Sequence, residues 1–164
     1  MNNIICFHNP DEENGYLSNW YISKFKVDRR TFSSMEQYMM YSKARLFGDD
    51  KIANRIMREH DVAKIKRLGR EVSNFSQKVW DANKEIIIVK GLIAKFTQNE
   101  ILKEKLLSTG DAELAEMAVQ DKIWGTGMSM TNPNRFNKLL WNGQNLLGKC
   151  LMLARKQIKN SEIA

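Results

Sequence analysis

Scarcity bounds this chain before any motif does. Its 164 residues include only two cysteines, two prolines and two histidines. Cys6 and Cys150 are too few for a disulfide framework, and no Cys/His group has metal-ligand spacing, so neither a stapled scaffold nor a metal centre is expected. His8 and His60 are thin material for a histidine-based triad. No apolar run approaches the roughly 20 residues of a membrane span, and residues 1–6 are too short and uncharged for a signal peptide. A reducing cytoplasm is the expected compartment, with no membrane partner. The Gly-x-Gly-x-x-Gly fingerprint, the P-loop, the Gly-x-Ser-x-Gly elbow and the His-Glu-x-x-His helix are all missing. So are internal repeats, low-complexity tracts and Pro/Ser-rich linkers. One domain over residues 1–164 is expected, long enough for a substantial core.

What is present is more pointed. Charged content of 27% and hydrophobic content of 43% are ordinary for a globular protein. The formal net charge of +7 suggests an anionic partner, either nucleic acid or a phosphorylated small molecule. The most informative stretch is residues 32–47. Ser33-x-x-Glu36 has capping-box spacing, Gly48 suits a C-cap, and good helix formers lie between them, which predicts a helix of about three to four turns. Glu36, Met39, Met40, Lys43 and Phe47 fall at helical spacing on one face of it. Two of these positions carry charge, which costs free energy in an apolar stripe unless the charges are paired or used. The two residues lie roughly 10 Å apart along the axis, beyond the i, i+4 reach, so a small polar ligand fits between their head groups. The plainer alternative is a capping Glu36 and a snorkelling Lys43.

Residues 4–7 read as a strand, and residues 25–27 and 30–32 as two more flanking a tight Asp28-Arg29 hairpin. Residues 9–15 form a loop, followed by a segment in which Trp20 is either core or a stacking wall for a planar ring. Beyond Gly48 the chain turns helical. Ile52, Ile56 and Met57 mark one amphipathic helix, and Asp61 caps the next, over residues 62–68 and ending near Gly69. Its Lys64, Lys66, Arg67 and Arg70 are either a solvated face or, at a Gly69-Arg70 turn, a phosphate seat. Ser76 caps a long helix to about residue 98, with a core row of Val79, Ala82, Ile86, Val89, Ile93 and Phe96 and with Gly91 admitting another element. Another helix covers residues 100–107 and stops at Gly110, and a last one spans residues 146–159 and buries Leu147, Leu151, Ala154 and Ile158. Between these two, glycines bracket an acid and an indole in Asp121-Lys122-Ile123-Trp124-Gly125-Thr126-Gly127, which reads as a rigid functional loop. A Gly/Asn-rich turn follows at residues 141–145.

The chemistry left after these exclusions rests on carboxylates (Glu36, Asp121), Lys43, the indoles Trp20, Trp80 and Trp124, and arginines. Carboxylates with stacking aromatics are the equipment for cleaving glycosidic bonds through oxocarbenium-like transition states. Several motifs occur in a telling order. They are Leu17-Ser18-Asn19-Trp20, the helix from Phe32-x-x-x-Glu36-Gln37-Tyr38 to Lys43-Ala44, Leu68-Gly69-Arg70, Lys95-Phe96, Asp121-x-x-Trp124-Gly125 and Asn142-Gly143-x-Asn145-x-x-Gly148. Together they resemble the YbiA-like, or NADAR, family over nearly the whole chain. The chain departs from the family's more usual residues at Gln37 and Trp20, where His and Phe are commoner; both swaps bear on the expected base pocket.

The resemblance implies a compact, predominantly helical α+β domain with a small N-terminal β-sheet or hairpin. It also implies an N-glycosidase acting on phosphoribosylated riboflavin-pathway intermediates or on ADP-ribosylated guanine in nucleic acid, with no cofactor. It transfers catalytic roles to Glu36, Lys43 and Asp121 and substrate binding to Asn19, Trp20, Arg70 and Trp124, and it favours a functional Glu36/Lys43 pair over the plainer alternative. Lys43 is then the candidate nucleophile, forming a Schiff base with the sugar. Two other classes stand beside this one: a non-catalytic module for ADP-ribose or nucleic acid, which needs no reactive lysine, and a plain interaction domain.

Overall fold

The computed structural model describes residues 3–164; the signal-peptide expectation therefore falls partly, at residues 1 and 2, outside them. In chain order the elements are β1 (Ile4–Phe7), β2 (Ile22–Val27), β3 (Arg30–Ser34), α1 (Met35–Leu46), α2 (Asp50–Arg58), α3 (Val62–Arg70), α4 (Gln77–Thr97), α5 (Glu100–Ser108), β4 (Glu113–Glu116) and α6 (Leu146–Ile163). The architecture is α+β and predominantly helical, as expected. Among the described residues no helix is long and apolar enough to cross a membrane.

The hairpin forms where its turn chemistry places it. Asp28 and Arg29 take positive φ angles of 48° and 67°, the pairing that lets a two-residue loop follow the twist of the strands. Phe25, Val27 and Phe32 point inward from β2 and β3, and the Phe25 and Phe32 rings pack 5.9 Å apart. The other strands differ from expectation. β1 does not join the hairpin but pairs in parallel with β4, with Phe7 opposite Glu116, and the sequence reading had not found β4. A parallel pair needs a crossover, and here most of the chain supplies it.

β3 runs directly into α1, and the helix cap shifts by one residue from the expected register. Ser34, in extended conformation, is the N-cap, and its hydroxyl accepts the Gln37 N–H at 3.1 Å. Gln37, not Glu36, reaches back: its Oε1 accepts the Ser33 N–H at 2.8 Å, while its Nε2 donates to the carbonyls of Ile56 and Glu59 at the end of α2. Gln37 is thereby committed to capping and away from any base pocket, and Glu36 is released from the capping duty. The other end behaves as expected, with Gly48 at φ 72° and the Asp49 N–H bonded to the Ala44 carbonyl.

α1 is the central element, packed against α2, α3, α4 and the hairpin. Gly91 of α4 admits α1, as expected: a Cβ there would overlap the Tyr38 ring, whose hydroxyl donates to the Ile87 carbonyl at 2.9 Å. The expected core row of α4 is half wrong. Val89 and Phe96 are buried, but Ile86 is 74% exposed, Val79 and Ala82 also face solvent, and Ile93 is half-buried. The inward stripe is instead Trp80, Lys84, Ile88, Leu92 and Lys95. This helix is apolar on more than one side, and tertiary contacts choose the face. α6 buries Leu147, Leu151, Ala154 and Ile158 as expected.

Candidate active site

All seven residues singled out from the sequence (Asn19, Trp20, Glu36, Lys43, Arg70, Asp121 and Trp124) line one cavity of about 220 Å³. It lies between α1, α3, the start of α4, the loop before β2 and the chain following β4. Met39, Met40, Lys66, Gly69, Trp80 and Glu116 complete the wall. A second, apolar groove between α4 and α6 is larger, but no indole lines it, and its Glu85, Lys90 and Lys149 are exposed.

Glu36 and Lys43 both face the cavity from α1. Glu36 is 3% exposed, and among the described residues no group donates a hydrogen bond to its carboxylate. Burial lifts its pKa from the usual 4.5 to about 7; Lys66, Lys43 and Arg70 oppose this rise and Asp121 adds to it. Its backbone N–H donates to the Asn19 carbonyl at 2.9 Å, which ties the loop before β2 to the first turn of α1. The Asn19 side-chain oxygen is buried and has no partner among the described residues. Lys43 Nζ donates to the Gly69 carbonyl at 2.8 Å and lies 4.6 Å from the centroid of the Phe75 ring. Burial lowers its pKa; Glu36 opposes that shift and Arg70 reinforces it. Met39 and Met40 line the cavity beside it, whereas the ring against the amine is Phe75, itself packed on Phe47.

The basic run of α3 is divided between two surfaces. Lys66 and Arg70, one turn apart, line the cavity, whereas Lys64 and Arg67 line an outer groove with Arg55 and Arg58. Gly69 is inside the helix rather than in a turn, a correction to the expected phosphate seat: a Cβ there would overlap Met40, so the glycine lets α1 and α3 approach. Arg70 is exposed at the cavity's edge, and Lys66 Nζ sits 5.8 Å from the Trp20 ring.

The loop after β4 is held by its own acid. Asp121 Oδ1 accepts the backbone N–H groups of Ile123 at 3.0 Å and Trp124 at 2.8 Å, which sets the indole of Trp124 at the cavity wall. The Gly/Asn turn locks this loop in place: the Gln144 and Asn145 N–H groups donate to the Lys122 and Gly125 carbonyls at 2.7 and 2.9 Å. The side chain of Asn145, whose φ is 51°, ties the turn to β4 by accepting the Glu116 N–H and donating to the Leu114 carbonyl.

Sequence reasoning missed Glu116 as a site residue and named Lys66 only within the basic run of α3. Glu116 is the last residue of β4, with one carboxyl oxygen buried and unpartnered. Burial, then Asp121 and Glu36, push its pKa from 4.5 up to about 8, with Lys66 opposing. The available signal was an acid inside the apolar run Leu114-Ala115-Glu116-Met117. The site is therefore electrically graded. Glu116 feels Asp121, Glu36 and Lys66, Lys43 feels Glu36 and Arg70, and Glu36 lies between the acidic and basic ends.

With this geometry in hand, comparison with known proteins gives a consistent picture. The NADAR domain profile matches residues 6–159. An N-glycosidase of Acanthamoeba polyphaga mimivirus is 37% identical over 93% of this chain and 95% of its own length. N-glycosidase YbiA of Escherichia coli is 34% identical over 84% of each chain. A riboflavin biosynthesis protein of Vibrio vulnificus is 33% identical over 97% of this chain but 40% of its own length. The NMR structure of Escherichia coli YbiA superimposes with a TM-score of 0.81 at 31% identity, covering 99% of this chain and 88% of that one.

Proposed function

The chain belongs to the NADAR domain family, and from that premise we propose that its cavity hydrolyses the bond between ribose C1 and a base or amine in a phosphoribosylated or ADP-ribosylated substrate. At the coarse level it is an N-glycosidase, the activity for which its near-full-length relatives are named. The observation that carries the finer reading is the pairing, in one cavity, of an unpartnered buried carboxyl with a desolvated lysine between indoles. A pure binding module gains nothing from burying such groups, since each lowers stability unless it is used.

In this reading Trp20 and Trp124 sandwich the base or sugar. The cavity is smaller than the roughly 300–1,000 Å³ of pockets for drug-sized ligands, so it takes up the ribosyl–base portion and leaves the remainder outside. Arg70, exposed at the rim, and Lys66 hold the 5-phosphate, Arg70 by a bidentate contact. Glu36 and Asp121 stabilise positive charge developing on the sugar, and Glu36 orients the water that completes the reaction. Lys43 attacks C1 as the free amine, which its burial favours. The base departs, the ring opens, and the sugar stays on Nζ as an imine until water releases it.

Borohydride added during turnover tests this directly: it should reduce the imine and leave a sugar-sized mass on the peptide carrying Lys43. Lys43→Arg keeps the charge but forms no intermediate, so it should fold and be inactive. An active Lys43→Arg enzyme would refute covalent catalysis and leave the carboxyls as direct acid–base groups. Running the assay on a free phosphoribosylamine and on an ADP-ribosylated guanine oligonucleotide separates the two substrate classes.

A further inference from the structure

We propose that Glu116 is the general acid of this site, handing its proton to the base nitrogen as the C1–N bond breaks. This inference rests on the N-glycosidase reading above. Cleavage leaves the bonding electron pair on the base nitrogen, and a neutral base departs as a poor, anionic leaving group unless a proton arrives with it. The cavity must therefore contain a group that holds a proton, faces the substrate and is not otherwise occupied.

Elimination within the wall leaves one residue. Arg70 does not give up a proton in proteins. Lys43 is the nucleophile, and Lys66 stands beside the Trp20 ring. Asp121 Oδ1 already accepts two backbone N–H groups, which suits a fixed acceptor rather than a donor. Three cations act on the Glu36 carboxyl, against one on Glu116. Glu116 is placed otherwise. Its backbone is fixed on both sides, the N–H by Asn145 at 3.0 Å and the carbonyl by Thr126 at 2.8 Å, so its side chain is aimed by a rigid strand end. Glu116 lines the cavity, and one of its carboxyl oxygens is buried with no partner among the described residues. Such an atom is far costlier as part of a carboxylate than as part of a neutral acid, so the site holds the proton on Glu116.

The groups acting on Glu116 agree with this role. Asp121 from the loop and Glu36 from α1 both oppose its ionisation, and only Lys66 of α3 favours it; Lys43 and Arg70 act on Glu36 rather than on Glu116. With burial, these keep the carboxyl protonated up to about pH 8. The step balances. The Lys43 Nζ–C1 bond forms, the C1–N bond breaks, and the Glu116 proton goes to the base nitrogen. The carboxylate left behind takes the proton that Lys43 sheds after attack, which restores the acid. Two neighbouring acids thus divide the work because their surroundings differ, the pattern that marks acid and base assignments elsewhere.

The test compares leaving groups. Glu116→Gln is nearly isosteric, so circular dichroism and KM should stay close to wild type. On a 5-phosphoribosyl substrate with a neutral base, kcat should fall by roughly 10²–10⁴-fold, the range of a lost general acid. On the matching pyridinium N-riboside 5-phosphate, whose base leaves already neutral, the same variant should lose little. The wild-type alkaline limb of the pH–kcat profile near pH 8 should vanish in Glu116→Gln and survive in Glu116→Asp. Equal losses on both substrates, or an unchanged alkaline limb in Glu116→Gln, would overturn the assignment while leaving the glycosidase intact. Failure of the wild type on both substrates would instead bring down the N-glycosidase reading, and this role with it.

Discussion

Replacing Glu36 by Gln should make the protein more stable, and only above a definable pH. In the unfolded chain the Glu36 carboxyl titrates at its usual 4.5, whereas in the folded protein burial moves it to about 7. Below pH 4.5 both states hold the proton and the residue contributes no pH dependence. Between the two values the unfolded state ionises and the native state does not, so the native state binds more protons and stability falls as pH rises. Above about pH 7 the loss has reached its plateau. From 4.5 to about 7, at 1.36 kcal/mol per pH unit, the loss amounts to about 3 kcal/mol. Gln keeps the size and cannot ionise, so Glu36→Gln should match wild type near pH 4.5 and exceed it by about 3 kcal/mol at pH 8, or roughly 6–12 °C in Tm for a chain of this size. Removing the charge also relieves Glu116, which acts in the same direction. Urea unfolding followed by circular dichroism at both pH values reads the difference, and the variant should have lost activity at both. A stability difference independent of pH would mean that Glu36 is not a desolvated, unpaired acid, and the argument for its catalytic use would fall with it.

Two further outcomes follow from the same wall. Arg70→Ala should raise KM on phosphorylated substrates by roughly tenfold to a hundredfold, the loss of a charge-assisted contact of about 1.5–3 kcal/mol, and should barely affect dephosphorylated ones; equal damage on both would make Arg70 structural. Gly69→Ala forces the new methyl into Met40 Sδ, so overpacking between α1 and α3 should cost about 1–3 kcal/mol in a denaturant titration and raise KM, because Met40 lines the cavity. A fully stable Gly69→Ala protein with normal KM would show that the Met40 side chain can turn aside without disturbing the site.

Local chemistry made much of this molecule legible from the sequence alone. Asp61 and Ser76 cap their helices, Gly48 ends α1, and Asp28-Arg29 turns the hairpin, because each of these acts through its own backbone or that of near neighbours. Glu36 and Lys43 share a face because helical geometry allows nothing else. Charge inside an apolar stripe was therefore visible before any contact was known.

Other features were decided only by tertiary structure. The cap of α1 moved from the expected Ser33 to Ser34 because the extended backbone of β3 runs to Ser34, which hands the back-reaching role to Gln37. α4 carries apolar residues on more than one side, so its periodicity fits two stripes, and packing against α1 and α6 selects the one holding Lys84 and Lys95. Lys95 is fully buried because the carbonyls of Tyr16 and Ser18, far away in sequence, accept its ammonium at 2.7 and 3.3 Å. The basic run of α3 divides between a cavity and an outer groove according to which neighbours α3 meets, and composition carries no such information. Glu116 escaped notice for the same reason. A four-residue strand is too short to announce itself, and its place in the site depends on parallel pairing with β1 at the opposite end of the chain, a contact that only the folded protein makes.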